Sequence, residues 1–139
     1  MAIRKPSRKS AAAAGSALAF NHAMIYVHQV DPALAFYSAL GFRLIAKFPA
    51  YARLRAPRGD ATIALHQLGG DTTSVAAEGM RLYFEVKNLD AFCQRLAASG
   101  IVFSQRPKEM PWGWRHAYLN DPDGHEVSLY WAGAKRLRG

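Results

Sequence analysis

The chain has 139 residues, half of them hydrophobic, which suffices for one domain with a sizeable core and excludes a disordered composition. Of the 18 basic residues, seven precede residue 20 or follow residue 131, so the net charge of +8 resides in the tails. The lone cysteine excludes an intrachain disulfide, and no apolar run is long enough to span a membrane. We therefore expect a cytoplasmic protein with no membrane association and no specific nucleic-acid partner.

The chain contains an internal repeat. Residues 22–41, HAMIYVHQVDPALAFYSALG, align without a gap with residues 81–100, RLYFEVKNLDAFCQRLAASG, and each segment predicts a strand, a helix and a glycine stop. The turn motif YARLRAPRG at 51–59 recurs as HAYLNDPDG at 116–124, and an alternating strand follows each copy. Within the helices, the aspartates suit the N-cap or first turn and the glycines suit the C′ position, at Asp31, Asp90, Gly41 and Gly100.

The repeat predicts an α+β fold of two tandem βαβββ modules, residues 21–68 and 80–131, in one domain. We expect residues 1–20 to be a flexible basic extension, with a weak export signal as the alternative, and residues 132–139 to be a basic tail. One face of the strands points toward the helices, with Ala23, Ile25, Val27, Ile63, Leu65, Leu82, Phe84, Val86, Val127, Leu129 and Trp131. The opposite face is polar and aromatic, which predicts a cupped mixed sheet around a ligand cavity.

The paired modules, together with the segments FYSALGFRL, PWGWR and DPDGHEVSL, resemble the vicinal oxygen chelate superfamily over residues 21–131. This superfamily includes glyoxalase I, extradiol dioxygenases and the fosfomycin- and bleomycin-resistance proteins, and the bleomycin-resistance type is the most similar. The resemblance implies a cupped sheet, commonly in a homodimer. It also implies that metal ligands, where they exist, come from the first and last strands of each module. Those positions hold His22, Ala64, Arg81 and Ser128.

Only His22 among these four residues binds a divalent metal well, and the charge of Arg81 opposes a cation. The sequence therefore predicts a small-molecule binding protein with no metal cofactor. The alternative is a metal-dependent lyase, isomerase or dioxygenase, with Zn, Ni, Mn or Fe held by His22, His66 and Glu126. A third hypothesis is a metal-free enzyme in which Glu126 or Glu85 acts as a general base.

Arg81 has two interpretations, since it binds an anionic group of the ligand or forms an internal ion pair with Glu85 or Glu126. An aromatic pocket is expected from Tyr83, Trp112, Trp114, Tyr118 and Tyr130, although the two tryptophans fit a dimer interface equally well. The full set of expected ligand-binding residues is His22, Tyr26, His66, Arg81, Tyr83, Glu85, Trp112, Trp114, Glu126, Ser128 and Tyr130, and Glu126 is also the candidate catalytic residue. We expect His28 and His116 to be surface or hydrogen-bonded histidines, and Cys93 to be buried and inert.

Overall fold

The computed structural model describes residues 17–69 and 77–138, so the expectations for residues 1–16, 70–76 and 139 lie outside the described residues. The first module contains β1 (His22–Val27), α1 (Val30–Ala39), β2 (Arg43–Phe48), β3 (Tyr51–Arg55) and β4 (Thr62–Gln67). The second contains β5 (Arg81–Glu85), α2 (Leu89–Ala98), β6 (Phe103–Glu109), β7 (Arg115–Asn120) and β8 (Glu126–Trp131). A short 3₁₀ helix, Gly133–Leu137, follows β8.

The strands form two mixed sheets with the same topology, which we call sheet 1 and sheet 2. Their strand orders are β1-β4-β3-β2 and β5-β8-β7-β6. In each sheet the first and last strands of the module pair in parallel, and the other neighbours are antiparallel. The parallel pairs begin at equivalent positions, His22 opposite Thr62 and Arg81 opposite Glu126. The prediction of two βαβββ modules is therefore confirmed.

Both helices end in the same way, at the glycines that the repeat predicted. Gly41 and Gly100 have φ values of 109° and 102°, which a residue with a Cβ rarely adopts. At each end, the glycine donates its N–H to the carbonyl three residues earlier, and the next residue donates its N–H to the carbonyl five residues earlier, as Phe42 does to Tyr37. These two bonds together form a Schellman motif. At the other helix ends, Asp31 and Asp90 lie in the first turn, while the N-caps are Gln29 and Asn88.

The two equivalent turns differ by one residue. In module 1 the Ala56 N–H donates to the Ala61 carbonyl, whereas in module 2 the Asp121 N–H donates to the His125 carbonyl. The second turn is therefore shorter. Because the second turn is one residue shorter, Ala64 and Ser128 occupy equivalent positions of β4 and β8.

One hydrophobic core includes side chains of both modules. The Phe42 and Phe84 rings meet at 5.2 Å between centroids, and the buried Tyr37 hydroxyl donates to Asp121 Oδ2 at 2.8 Å. Cys93 is buried in α2 as expected, and burial raises the pKa of its thiol to about 11. Trp131 lies on the helix-facing side as predicted, beside Leu89 and Asp90 at the start of α2, and 37% of it is exposed at the rim, where β8 ends opposite Arg115.

None of the helices within residues 17–69 and 77–138 combines the length and the apolar character that a membrane span requires.

Candidate functional site

Each sheet turns one face toward the helices and leaves the other open. We call the faces that point away from the core the sheet 1 face and the sheet 2 face. The sheet 2 face carries a cluster of polar and aromatic side chains, namely Arg81, Tyr83, Glu85, His116, Tyr118, Glu126, Ser128 and Tyr130. The sheet 1 face carries His22, Met24, Tyr26, Arg43, Phe48, Tyr51, Arg53, Arg55, Thr62, Ala64 and His66.

His116 lies at the centre of an aromatic stack on the sheet 2 face. The rings of Trp114, Tyr118 and Tyr130 are nearly parallel to the imidazole, with centroids 5.5–6.0 Å away and interplanar angles of 13–20°. Tyr83 meets the imidazole edge-on at 5.8 Å. The stack leaves His116 only 2% exposed, whereas Tyr83 remains 46% exposed. A ligand on this face would therefore contact Tyr83 directly and find the other rings already packed.

The hydrogen bonds of His116 define its tautomer. The Trp112 indole donates its Nε1–H to His116 Nε2 at 3.3 Å, so Nε2 carries no proton. Nδ1 then carries the proton and donates to Ser128 Oγ at 2.8 Å. Burial, and to a lesser extent the charge of Arg81, lowers the pKa of His116, which favours this neutral form. Because the Ser128 hydroxyl accepts this bond, His116 does not activate it as a nucleophile.

Arg81 forms an ion pair within the face. Its guanidinium donates to Glu126 Oε2 at 2.7 Å and to the Tyr83 hydroxyl at 3.3 Å, and it lies 4.8 Å from the centroid of the Tyr118 ring. The bond to Glu126 raises the pKa of Arg81 further above its usual range, so the guanidinium keeps its charge. Of the two carboxylates that the sequence offered as partners, Glu126 forms the pair. Both side chains of the pair are more than a third exposed, so the pair is accessible to a ligand.

Glu85 has a structural contact instead. Its Oε2 accepts the backbone N–H groups of Ala132 and Gly133, at 3.2 and 3.0 Å, where the 3₁₀ helix begins. Lys135 in that helix donates to the Gly113 carbonyl at 3.1 Å, which ties the C-terminal segment to the loop that carries Trp112. Both carboxylates that were considered as general bases, Glu85 and Glu126, are thus held by donors in this structure.

Two cavities meet at Arg81 and Tyr83. The first, about 480 Å³, lies between the modules; His22 and Thr62 line one side of it, and apolar side chains such as Phe84 line much of the rest. The second, about 490 Å³, lies on the other side of Arg81 and is lined by residues 77–80 and Glu126. The structure therefore brings together His22, Arg81, Tyr83 and Glu126 around adjoining cavities.

The residues at the family's metal positions do not fit a metal. His22 Nδ1 is hydrogen-bonded to Thr62 Oγ1 at 2.7 Å, and the side chain of Ala64 has no atom that could bind a metal. Ser128 is buried against His116, and Arg81 places a permanent positive charge at the fourth position. A divalent cation needs several oxygen, nitrogen or thiolate donors and no adjacent cation, so this set cannot hold one.

The alternative ligand set, His22, His66 and Glu126, is not assembled within the described chain. His66 lies four residues along β4 from Thr62, the partner of His22, which separates the two histidines by about 13 Å. Among residues 17–69 and 77–138, Asp121, Asp123 and His125 are the only three such side chains whose ligand atoms lie within 4.8 Å of one another. The separation of His22 from His66 along β4 therefore does not support the alternative prediction of a displaced metal site.

The three residues of that turn are occupied by hydrogen bonds. Asp121 Oδ1 accepts the backbone N–H groups of Asp123 and His125, and Asp121 Oδ2 contacts the Tyr37 hydroxyl and His125 Nδ1. Asp123 Oδ1 accepts the backbone N–H of His28 and contacts its Nδ1 at 2.7 Å. These bonds order the turn and connect it to module 1.

The remaining site predictions have mixed outcomes. Tyr26 is 52% exposed and meets His66 edge-on, so both lie on the sheet 1 face rather than beside Arg81. Trp114 belongs to the stack, while Trp112 is 56% exposed and holds His116. His28 and His116 both have partners, as expected. His116 was not among the expected site residues, although alternation along RHAYLN, residues 115–120, places it on the same face as Tyr118.

A family model of the Glyoxalase/Bleomycin resistance protein/Dioxygenase superfamily matches residues 19–129. The chain therefore belongs to this superfamily. Among curated proteins, none matches the chain.

Several solved structures have the same fold. One is a glyoxalase/bleomycin resistance protein/dioxygenase from Nocardioides, with a TM-score of 0.68 and 19% identity over 91% of this chain and 95% of that one. Another is lactoylglutathione lyase from Agrobacterium tumefaciens, with a TM-score of 0.68 and 18% identity over 87% and 97%. A third is TioX from Micromonospora sp. ML1, with a TM-score of 0.65 and 22% identity over 81% and 98%. At these identities the likeness shows the fold alone.

Proposed function

We propose that this protein binds a small aromatic molecule at the sheet 2 face without a metal, in the manner of a sequestering resistance protein. The observation that carries the proposal is Arg81, which stands at a metal-ligand position of the family and is held by Glu126 beside exposed Tyr83. This arrangement offers a cation, a carboxylate and an aromatic surface to one ligand. The adjoining cavities provide volume for it.

The ligand that fits this face best carries a neutral or anionic polar group. A cationic group would meet the fixed charge of Arg81, whereas a carboxylate would compete with Glu126 for the guanidinium. A hydrogen-bonding neutral group, such as an amide, would bind the pair without separating it. The aromatic part of the ligand would pack against Tyr83.

Ligand binding is tested with cinnamate and its neutral analogue cinnamamide. All three tryptophans, Trp112, Trp114 and Trp131, belong to module 2, so quenching of tryptophan fluorescence reports on sheet 2. We expect saturable quenching by both compounds, weakened roughly 5-fold or more by Tyr83→Ala. Arg81→Ala should weaken binding of cinnamate more than of cinnamamide. Quenching that does not saturate, or that Tyr83→Ala leaves unchanged, would contradict the proposal.

Metal independence needs its own measurement. The protein, purified without a metal-affinity column and dialysed, is expected to contain far less than one transition metal per chain by elemental analysis. One stoichiometric metal that His22→Ala or His66→Ala releases would overturn the proposal in favour of a metal-dependent enzyme.

We also propose a homodimer that uses the outer edge of sheet 1. The edge strand β2 exposes Leu44 and Ile45, at 49% and 48%, and an apolar edge strand favours pairing with a second chain. Light scattering at micromolar concentration should give twice the mass of one chain, and Ile45→Lys should give a monomer. A monomeric native protein would contradict this part of the proposal.

A further inference from the structure

The internal repeat makes two contact regions between the modules equivalent, and we call them junction A and junction B. In junction A, the turn of module 2 at residues 121–125 contacts α1 and the residue that follows β1. In junction B, the turn of module 1 at residues 56–59 lines a cavity together with the end of β5 and with α2. The repeat aligns Asp123 with Arg58 and His28 with Lys87. The two junctions therefore carry different charges at matching positions.

Junction A is closed by hydrogen bonds that one carboxylate accepts. Asp123 Oδ1 accepts the backbone N–H of His28 at 2.7 Å and contacts its Nδ1 at the same distance. In the strand that ends beside this contact, Ile25 and Val27 are 1% and 0% exposed. A carboxylate thus occupies the space between the turn of one module and the strand end of the other.

Junction B has no such bond. Arg58 stands where junction A has Asp123, and Lys87 stands where junction A has His28. Both side chains are exposed and line one cavity, and two positive charges cannot attract each other across it. Neither forms an ion pair with any of residues 17–69 and 77–138. Glu85 also lines the cavity, but its Oε2 accepts two backbone N–H groups at the start of the 3₁₀ helix.

The cavity of junction B has an apolar interior of about 340 Å³. It lies on the helix-facing side of sheet 2 rather than on the open face. The buried side chains of Phe42 and Leu129 lie at its base, 8% and 1% exposed. Phe84 and Val86, the equivalents of the two buried residues of β1, are only half-buried here, as is Phe92 of α2. The walls therefore retain apolar surface that a bound molecule would remove from water.

We propose that junction B binds a small apolar carboxylate, of the kind that a medium-chain fatty acid provides. The carboxylate would bridge Arg58 and Lys87, in the place that the Asp123 carboxylate takes in junction A. The aliphatic chain would cover the half-buried side chains of Phe84 and Phe92. The site lies apart from the open face of sheet 2, so this inference goes beyond the proposed function and does not depend on it.

The charges of the junction select an anion over a neutral apolar molecule. A neutral molecule would fill the cavity but leave both cations without a counter-ion. A carboxylate satisfies both at once, and charge-assisted hydrogen bonds are roughly twice as strong as neutral ones. The modest volume of the cavity favours a short chain over a long one.

NMR titration of the full-length protein with octanoate, kept below its critical micelle concentration, tests the inference. We expect the backbone amide signals of Arg58, Lys87 and Phe92 to shift and saturate, while those of Tyr118 and Ser128 on the open face of sheet 2 stay in place. Octanamide, the neutral analogue, should bind at least about 5-fold more weakly. Equal affinities for the two compounds, or shifts confined to Tyr118 and Ser128, would overturn the proposal.

Two substitutions that remove charge test the cationic residues. Arg58→Gln and Lys87→Gln should each weaken octanoate binding roughly 5-fold or more and change octanamide binding little. Lys108→Gln removes the same charge from an exposed position of β6, outside the cavity, and should leave octanoate binding unchanged. The proposal also fails if both variants in junction B bind octanoate as the native protein does.

Arg58→Asp gives junction B the carboxylate that junction A already has. The introduced carboxylate should pair with Lys87, so we expect octanoate binding to be lost while Tm is no lower than that of the native protein. Quenching of tryptophan fluorescence by cinnamate should be unchanged in this variant, which separates junction B from the site of the proposed function. Octanoate binding of native strength in a folded Arg58→Asp variant would refute the assignment.

Discussion

The open faces of the two sheets occupy equivalent positions in the two modules, and they differ in how their charges are satisfied. On sheet 2, Arg81 has Glu126 and Ser128 has His116. On sheet 1, Ala64 occupies the position equivalent to Ser128, and its side chain has no polar atom. Arg53, which lies opposite Ala64, forms no ion pair among the described residues. The same backbone topology therefore supports one face whose polar groups pair with one another and one face on which Arg43 and Arg53 form no ion pair within residues 17–69 and 77–138.

The largest expected effect concerns the turns that precede β4 and β8. Ala56 begins the first turn, whereas Asp121 begins the second and accepts bonds from Tyr37 and His125. Asp121→Ala makes the second turn resemble the first but leaves buried donors unpaired, so we expect a loss of about 3–5 kcal/mol in the free energy of unfolding, measured with urea. Tyr37→Phe, which removes one donor, should cost less. A loss below about 1 kcal/mol for Asp121→Ala would show that the turns are equivalent in energy as well.

The next effect concerns the equivalent positions Ala64 and Ser128. Ser128→Ala gives sheet 2 the residue that sheet 1 has, and it leaves the buried Nδ1–H of His116 without its acceptor. We expect the free energy of unfolding to fall by about 1–3 kcal/mol. Ser104→Ala, on the exposed part of β6, is the matched control and should change it by less than about 0.5 kcal/mol. Equal effects of the two substitutions would argue against the His116 tautomer.

A smaller effect should depend on pH. Because the folded state lowers the pKa of His116 below that of the unfolded chain, the unfolded state binds more protons between the two values. The contribution of His116 to stability is therefore fully present above its ordinary pKa near 6.5 and is lost as the pH falls below it. Thermal unfolding from pH 7 to pH 5 should show a smaller decrease in Tm for His116→Phe than for the native protein. An identical decrease would mean that other groups carry the acid sensitivity.

The smallest effect tests whether sheet 2 can be made to resemble sheet 1. Glu126→Gln removes the counter-ion of Arg81, so the guanidinium becomes available to an external anion. We expect cinnamate to bind sheet 2 a few-fold more tightly, about 0.5–1 kcal/mol, with cinnamamide unchanged. Glu109→Gln removes the same charge from an exposed position of β6 and serves as the control. Weaker cinnamate binding by Glu126→Gln would indicate that the carboxylate orders Arg81 for the ligand.

The modules were predictable from the sequence because the repeat carries strong local signals. Alternation predicted which residues face the core, and Gly41 and Gly100 marked the helix ends through a backbone conformation that favours glycine. Family membership was predictable from the same motifs. Alternation also assigned Trp131 to the correct face, but it does not tell where the covering helix begins, and Trp131 is 37% exposed at the rim.

The site was predicted less completely than the fold. Alternation grouped Arg81, Tyr83 and Glu126 correctly, but the choice of Glu126 over Glu85 as the partner of Arg81 depends on cross-strand register. The separation of His22 from His66 likewise follows from the strand pairing. The arginine cluster of sheet 1 was missed because Arg43 and Arg55 are distant in sequence and become neighbours only through the β2–β3 pairing.

The short 3₁₀ helix after β8 has a practical consequence for handling the protein. Glu85 holds the start of this helix, and Lys135 within it bonds the loop that carries Trp112. An affinity tag, fluorophore or fusion partner attached near residue 138 therefore adjoins a segment whose hydrogen bonds connect it to the loop that carries Trp112 and Trp114. A label placed on the exposed turn around Arg58 avoids the coupling through the 3₁₀ helix.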